Sequence, residues 1–541
     1  MKTLITTLNA KYIHKSLSLR LLYVASKEKH DVQFQEFTIK DTKQHVVDRI
    51  MEANVDVVAF SVYIWNVEYI KDICSMLKSR KDIVIILGGP EVSYDIDPFL
   101  DTYEIDYIIS GQGEVSFPYL LECIELNQTP NRIGISSKTN RSYEQCESVP
   151  LEVIEAFDSP YVLEQDLDSM NHRILYFETS RGCPYQCSYC LSSLEKGLTF
   201  YSIEYIKKQL DLIFATNVKT IKFLDRSFNA KTSHALEIIK HIISKQRLDV
   251  QCQFEINGDV LDQKIIDYMH QYATPGVFRY EIGIQSTYDP TNLIVKRRQD
   301  FNRLKEVIIQ LQEAKVIDLH LDLIAGLPLE TKERFAKSFD DVFSFHPKEL
   351  QLGFLKLLRG TNLRKEADFY GYHYQQHAPY ELIEGNDLSK QDIQDIHLAE
   401  DMLEKYWNSG KCKKTMDYII QQIDSPFYFF YHLGVFYKEQ NYKTIHYQND
   451  ELFYYLYQYC ITINLDVEEL LIEDYLQLSK VKPKKWWQTK IENRKETMHY
   501  LIDTYQLNKE EVFRYGVVEK CKDGYLLAIY KDMQVTLKKY R

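Results

Sequence analysis

The sequence predicts an α/β chain made of an N-terminal doubly wound domain, a partial (β/α)6 barrel and a mostly helical C-terminal region. Short apolar runs alternate with amphipathic stretches over residues 1–127 and again over 173–370. A polar, turn-rich stretch that reads as a linker separates the two at 128–172. Over 371–541 longer helical patterns dense in tyrosine take over, beginning beside Tyr370, Tyr372 and Tyr374.

In the first region the apolar runs are Thr3–Leu8, Val32–Phe37, Val55–Val62, Ile83–Leu87 and Tyr107–Ile109, with Ser16–Ser26 and Val67–Leu77 as helices between them. Strands joined by helices form a parallel sheet covered on both faces, so a flavodoxin-like domain is expected. The barrel strands are expected at Ile174–Glu178, Thr220–Leu224, Gln251–Ile256, Arg279–Ile284, Asp318–Ile324 and Glu349–Leu355. Six repeats fall short of the eight that close the usual barrel, and the chemistry of such barrels sits where the strands end. In the C-terminal region Ile393–Tyr406 and Glu451–Ile463 read as helices, and Asp523-Gly524 as a hairpin turn.

The formal charge of −12 over 541 residues argues against general nucleic-acid binding, which needs a concentrated basic surface. Met1–Ile5 runs into a strand without the succession of a signal peptide, and charges interrupt every apolar run short of the ~18 residues of a membrane span. A cytoplasmic protein with no membrane partner is expected.

Ten cysteines are scattered along the chain except for Cys183, Cys187 and Cys190, which share eight residues directly after a strand. In a reducing compartment such a group points to metal rather than disulfides. Thiolates hold a 4Fe-4S cluster, and three on one loop leave one iron open to a ligand. Structural zinc needs four ligands, and no fourth Cys or His lies nearby in the sequence. The C-x3-C-x2-C spacing, with Tyr189 before the last cysteine, resembles the signature of the radical S-adenosylmethionine (SAM) superfamily. The resemblance implies that the methionine end of SAM chelates the open iron. It further implies that an electron from the cluster cleaves SAM to a 5′-deoxyadenosyl radical, and that an electron donor such as flavodoxin or ferredoxin supplies that electron.

Later segments extend the resemblance in order. Phe223–Asn229 resembles the family's acidic turn, with Asp225 either contacting the cofactor or capping the next helix. Glu255, among apolar neighbours, needs either a ligand or a buried ion pair. Glu281, Gly283 and Gln285 share one strand face by period two and resemble the strand that runs beside SAM. Val295–Gln299 resembles the basic segment that follows, where Arg297 is the candidate for the SAM carboxylate. Gly326 sits where the family packs backbone near adenine.

Ligands of an open parallel sheet bind beyond its C-terminal strand ends. There the N-terminal region carries Ser61–Trp65, Gly88-Gly89-Pro90-Glu91 and Ser110-Gly111-Gln112-Gly113-Glu114. Together these resemble the cobalamin domain that precedes the barrel in a large radical SAM subfamily, and they make Ser61, Gly88, Gly89, Gly111 and Gly113 candidate cobalamin contacts. The Asp-x-His-x-x-Gly loop that ligates cobalt in other cobalamin domains is absent; Asn9–Lys15 stands in its place, with His14 as either a cobalt ligand or an ordinary surface histidine. The C-terminal region is similar to a helical domain of unknown function appended to one subgroup.

The resemblance implies a cobalamin-dependent radical methyltransferase acting on an unknown substrate. Radical cyclisation or rearrangement without methyl transfer, and a non-catalytic iron-sulfur or corrinoid sensor, are the alternatives.

Overall fold

Burial along each strand decides its place in the N-terminal sheet. In β1 (Lys2–Asn9) every residue after the first is buried, and β3 (Val57–Ser61) is buried throughout; both are central. β2 (Asp31–Thr38) is half-exposed and lies at an edge. The order is β2-β1-β3, then β4 (Val84–Gly88), β5 (Tyr107–Ile109) and β6 (Ile135–Ser137). The first five strands are parallel, and β6 joins β5 antiparallel. Alternate residues of β1 and β3 face opposite cores. Leu4, Leu8, Val58 and Phe60 pack with helices Lys43–Glu52 and Val67–Lys78, whereas Ile5, Val57 and Ala59 pack with helices Leu17–Ser26 and Ser116–Glu125. This is the doubly wound arrangement expected from sequence.

The structure, a computed structural model, describes residues 1–195, 197–480, 487, 491–532 and 534–541. The stretch 128–172 is more ordered than a linker. It supplies β6, the helix Leu151–Glu155 and a 3-10 segment at Glu164–His172, because Arg20 draws Asp166 of that segment into a buried ion pair at 2.6 Å.

The second sheet begins with β7 (Ile174–Phe177). Two short strands, β8 (Ser180–Gly182) and β9 (Leu198–Phe200), form a separate hairpin before β10 (Thr220–Phe223), β11 (Gln251–Ile256), β12 (Phe278–Gln285), β13 (Ile317–Ala325) and β14 (Glu349–Phe354). Its order is β14-β13-β12-β11-β10-β7, so β7 and β14 are the edge strands and the six-stranded barrel stays open. Period two sorts its side chains as well. Phe223, Phe254, Phe278 and Tyr280 are buried, while the alternating positions Lys222, Glu255, Glu281, Gly283 and Gln285 are half-buried. A polar inner face of this kind differs from the apolar filling of a closed barrel.

The chain divides into two compact units, 1–331 with 352–390 and 332–351 with 391–541. Residues 371–390, read from sequence with the C-terminal region, therefore group with the first unit, where β15 (His373–Tyr374) and β16 (Leu382–Glu384) form a small hairpin. The second unit is mainly helical. Phe339 of its helix Lys332–Phe343 meets Phe427 and Phe430 of Pro426–Glu439, and the buried hydroxyls of Tyr406 and Tyr437 hydrogen-bond each other. Its last segment is an antiparallel sheet of β17 (Gly516–Cys521), β18 (Gly524–Lys531) and β19 (Gln534–Tyr540). The first two strands turn at Asp523-Gly524 as expected, and the third was not legible.

Candidate active site

The three cysteines sit on a loop that the β8–β9 hairpin closes at its base. Gly182 has φ +92°, and a Cβ there would stand 2.1 Å from the Gly197 carbonyl oxygen, so the hairpin can close this tightly only on glycine. Within the loop Cys190 N–H donates to the Cys187 carbonyl at 3.1 Å, and Ser188 N–H donates to Val295 O at 2.9 Å. The loop entrance is fixed by Asp225. Its carboxylate accepts from Thr179 N–H (3.2 Å), from the Thr179 hydroxyl (2.6 Å) and from the Ser180 hydroxyl. Burial pushes the Asp225 carboxyl up to about 6 against these donors. The caps of the helical segments that follow are Ser227 and Lys231, and the carboxylate of Asp225 serves the loop entrance through Thr179 and Ser180.

The cysteines form one wall of an open cavity of about 200 Å³. Glu255, Glu281, Gln285 and Arg297 line it with them, as do Gly283, Arg226 and Asp322. Glu281 pairs with Lys222 at 2.9 Å; burial would raise its carboxyl, but Lys222 holds it below the ordinary range. Glu255 lies 4.0 Å from the same Lys222, and burial raises its carboxyl above the ordinary range. Both readings of Glu255 therefore meet in one residue, a long ion pair at a cavity wall. Gln285 has φ +69°, and its Oε1 is buried without a hydrogen-bond partner, an acceptor available to a ligand. Arg297 donates to the Gly283 carbonyl and lies 3.5 Å from the Tyr189 hydroxyl. Burial opposes its charge, and Tyr189 and Cys187 favour it, so the guanidinium stands beside the cysteine loop.

Among the described residues no three His, Cys, Asp or Glu side chains converge closely enough to hold a single metal ion. The cysteine triad is suited to a cluster instead, because each thiolate binds a different iron and the sulfurs stay apart. Burial raises the Cys183 thiol, and Cys190 and Cys187 add to the effect.

Gly326 follows β13 and meets the segment 371–390. A Cβ on it would meet Leu382 at 2.5 Å, and its carbonyl accepts from the Tyr372 hydroxyl at 2.9 Å, so its φ of +100° permits packing against 371–390.

Ser61 and Gly88 are the last residues of β3 and β4, Gly89 follows β4, and Gly111 and Gly113 follow β5. Gly89 (φ +107°) would place a Cβ 2.5 Å from Val62 O, and Gly111 (φ +94°) one 3.1 Å from Gln145 Oε1. Both are required by the protein's own backbone. Gly113 fits against Leu22 at 3.0 Å, while Gly88 meets nothing closer than 3.6 Å. Ser61 Oγ lies 3.3 Å from Ser18 Oγ, beside a stacked Tyr63–Trp65 pair (4.5 Å) in which Trp65 is exposed.

Sequence reasoning missed the polar contacts that join the N-terminal domain to the barrel. Arg181, on the strand entering the cysteine loop, pairs with Glu114 at 2.7 Å and with Glu178 at 3.0 Å. Glu36 pairs with Arg20 and Arg173 at 3.0 and 2.8 Å. His14 Nδ1 lies 2.8 Å from the Tyr176 hydroxyl, and burial with nearby Lys11, Lys222 and Arg173 holds the imidazole below its ordinary range. Asp322 was also missed, although it shares the face of β13 that period two from Ile324 assigns to the cavity.

Comparison with known proteins agrees with this architecture. Residues 3–121 match the B12 binding domain, residues 177–342 the radical SAM superfamily, and residues 368–525 the family described as "Protein of unknown function (DUF4080)". An uncharacterized methyltransferase of Pyrococcus horikoshii is 25% identical over 349 residues, covering 60% of this chain and 73% of the relative. The cobalamin-dependent radical SAM methyltransferase TokK of Streptomyces tokunonensis is 25% identical over 324 residues, which is 55% of this chain and less than half (45%) of TokK. Among solved structures, the cobalamin-dependent SAM radical enzyme OxsB with aqua-cobalamin and SAM bound shares the fold at TM-score 0.62 and 15% identity, over 90% of this chain and 82% of OxsB. The SAM methyltransferase TsrM of Kitasatospora setae, with cobalamin and cluster bound, aligns at TM-score 0.58 and 15% identity, over 70% and 79% of the two chains.

Fold and site define a radical SAM protein with an N-terminal B12-binding domain. The chain carries, in order, a B12-binding domain, a radical SAM domain and a DUF4080 region. Its cofactors are a 4Fe-4S cluster, SAM and cobalamin, and the radical SAM domain requires a reductant. Among the described residues no helix is long and apolar enough to cross a membrane.

Proposed function

We propose that this protein is a cobalamin-dependent radical SAM methyltransferase in which Cys183, Cys187 and Cys190 hold the cluster. The carrying observation is that these cysteines share one cavity with Glu255 of β11, Glu281 and Gln285 of β12, and Arg297 of the loop that follows the helix Asp289–Ile294. When bound, the cluster supplies the electron that cleaves SAM, and cobalamin supplies a transferable methyl group.

The chain's own residues do the positioning. Arg297, held on Gly283 O beside the cysteine loop, offers its remaining N–H groups to a carboxylate. Gln285 Oε1 accepts a hydrogen bond from a hydroxyl or ammonium group of the bound molecule. Asp225 holds Thr179 and Ser180, and so fixes the direction in which the cysteine loop leaves the barrel. Lys222 pairs with Glu281 at 2.9 Å and stands 4.0 Å from Glu255, so one ammonium group orients both carboxyl groups at the cavity wall. A small flavodoxin or ferredoxin is the expected donor.

The test is anaerobic purification with spectra for cluster and cobalamin, followed by SAM labelled on its methyl carbon and a small-molecule extract as acceptor. Label should leave SAM for an extract component, with S-adenosylhomocysteine and 5′-deoxyadenosine both formed. Preparations that retain no cobalamin, or that form 5′-deoxyadenosine without S-adenosylhomocysteine, would overturn the proposal.

A further inference from the structure

The turn after β10 exposes one residue and buries its neighbours. Asp225, Ser227, Phe228 and Asn229 are each at most 4% exposed, whereas Arg226 among them is exposed and lines the cavity. Its backbone is pinned on both sides. Leu224 N–H donates to Phe177 O at 2.8 Å, Asp225 is held by Thr179 and Ser180, and Asn229 exchanges hydrogen bonds with Asn257 at 2.8 and 2.9 Å. The guanidinium therefore extends from a rigid turn, the kind of support that a binding group needs.

The acids of the cavity have partners within the chain. Glu281 pairs with Lys222 at 2.9 Å, Glu255 lies 4.0 Å from the same ammonium group, and Asp322 lies 2.8 Å from His320 Nε2. Arg297 donates to Gly283 O. Arg226 differs from all of these, because among the described residues it makes no ion pair and no hydrogen bond. Its charge is nevertheless felt on three sides. Burial raises the Glu255 carboxyl and Arg226 opposes the rise, and the same guanidinium acts on Cys183 of the cysteine loop and on Tyr63, two residues beyond β3. Arg226 thus stands where the cysteine loop, the barrel cavity and the N-terminal domain come together.

We infer that Arg226 binds an anionic group of the substrate, a carboxylate or a phosphate. This inference rests on the methyltransferase reading of the same cavity. SAM brings one carboxylate, for which Arg297 is placed, and the corrin ring carries amide side chains, the one phosphate of cobalamin belonging to its nucleotide tail. Neither cofactor therefore supplies a partner for this guanidinium. An arginine offers a planar fork of donors that holds either anion through two N–H bonds, and it keeps its charge at any working pH. With the acids already matched inside the chain, an acidic substrate completes the charge balance at the cavity mouth, whereas a neutral or cationic one leaves Arg226 unmatched.

The direct test needs no substrate. Inorganic phosphate is added as a probe anion to the full chain carrying oxidised cluster, SAM and cobalamin in the paramagnetic cobalt(II) state, and its phosphorus-31 linewidth is compared with that of the diamagnetic cobalt(III) form. Excess broadening is expected in the wild type, should persist in Arg226→Lys, and should fall at least about 10-fold in Arg226→Met, the loss of a charge-assisted hydrogen bond. No excess broadening in the wild type, equal broadening in Arg226→Met, or loss of bound cobalamin or SAM from that variant would overturn the inference.

The second test uses a small-molecule extract as methyl acceptor. Passage over an anion exchanger should strip the extract of acceptor activity, and the fraction eluted by salt should restore it; phosphatase treatment of that fraction then tells a phosphate from a carboxylate. Arg226→Met should need at least about 10-fold more of this fraction for half-maximal transfer, with iron content and SAM affinity unchanged. Acceptor activity that the exchanger does not retain would overturn the inference. Wild-type protein that transfers no label to any fraction would refute the methyltransferase reading instead, and the phosphate linewidths would still decide the role of Arg226.

Discussion

Replacing Glu36 by Gln should loosen the N-terminal domain from the barrel in a pH-dependent way. Glu36, on β2, accepts four hydrogen bonds. One oxygen takes Ser16 N–H (2.5 Å) and Asn9 Nδ2 (3.1 Å); the other takes Arg20 Nη2 (3.0 Å) and Arg173 Nη1 (2.8 Å). Burial alone would raise its carboxyl, but Arg20, Arg173 and Ser16 overcome burial and hold it at about 2. A depression of that size from the ordinary carboxylate value corresponds to about 3 kcal/mol of stabilisation at neutral pH. Breaking a buried ion pair by removing one charge costs about 3–5 kcal/mol, the same order. Because the folded-state value is lowered, the stabilisation is present above the ordinary carboxylate range and is lost as pH falls toward 2. Hydrogen exchange of the peptides around Ser16 and Ile174 should therefore show opening roughly 100-fold more frequent in Glu36→Gln at pH 7. The gap from wild type should shrink by about 2 kcal/mol at pH 3. Equal gaps at the two pH values, or unaltered protection at pH 7, would refute the assignment of a buried, ionised Glu36.

Three further outcomes follow from the same geometry. Single replacement of Cys183, Cys187 or Cys190 by Ala should abolish the iron-sulfur absorption of anaerobically reconstituted protein, while cobalamin absorption survives; a variant that keeps full iron content removes that cysteine from the ligand set. Asp225→Asn puts an amide donor opposite three donors, so it should lower thermal stability by about 2 kcal/mol and lower iron content without touching a cavity-lining group; wild-type iron retention would contradict the anchoring role. Gly89→Ala combines φ +107° with a Cβ 2.5 Å from Val62 O and should cost about 2–4 kcal/mol, seen as a lowered unfolding temperature, whereas Gly88→Ala, whose nearest contact is 3.6 Å, should be nearly neutral.

Much of the architecture was legible because it is written in periodicity. The runs at Tyr107–Ile109 and Gln251–Ile256 coincide with β5 and β11, and the other strand ranges differ from the observed ones by a residue or two at their ends. Gln285 and Glu281 were assigned to one inward face by period two, and they line the cavity. The cysteine triad needed only its spacing and its place after a strand. Glycines were less legible, since a glycine that admits a ligand and one that relieves a backbone clash look alike in sequence. At Gly89 and Gly326 the structure shows the backbone or packing clash that a Cβ would make. Asp225 was read as a cofactor contact or a helix cap, and its hydrogen bonds to Thr179 and Ser180, more than forty residues earlier, were not legible.

By itself, the sequence determined that the chain holds a doubly wound domain, an open six-stranded barrel and a cysteine loop suited to a cluster, because each of these depends on local spacing and on which face a side chain takes. Only the tertiary structure decided that Arg20, Glu36, Asp166 and Arg173 meet in one buried network, and that His14 turns to Tyr176. Those pairings join residues up to 162 positions apart, and a buried charge or ring nitrogen takes whichever complementary group the fold brings within hydrogen-bond reach, a choice that no local pattern records.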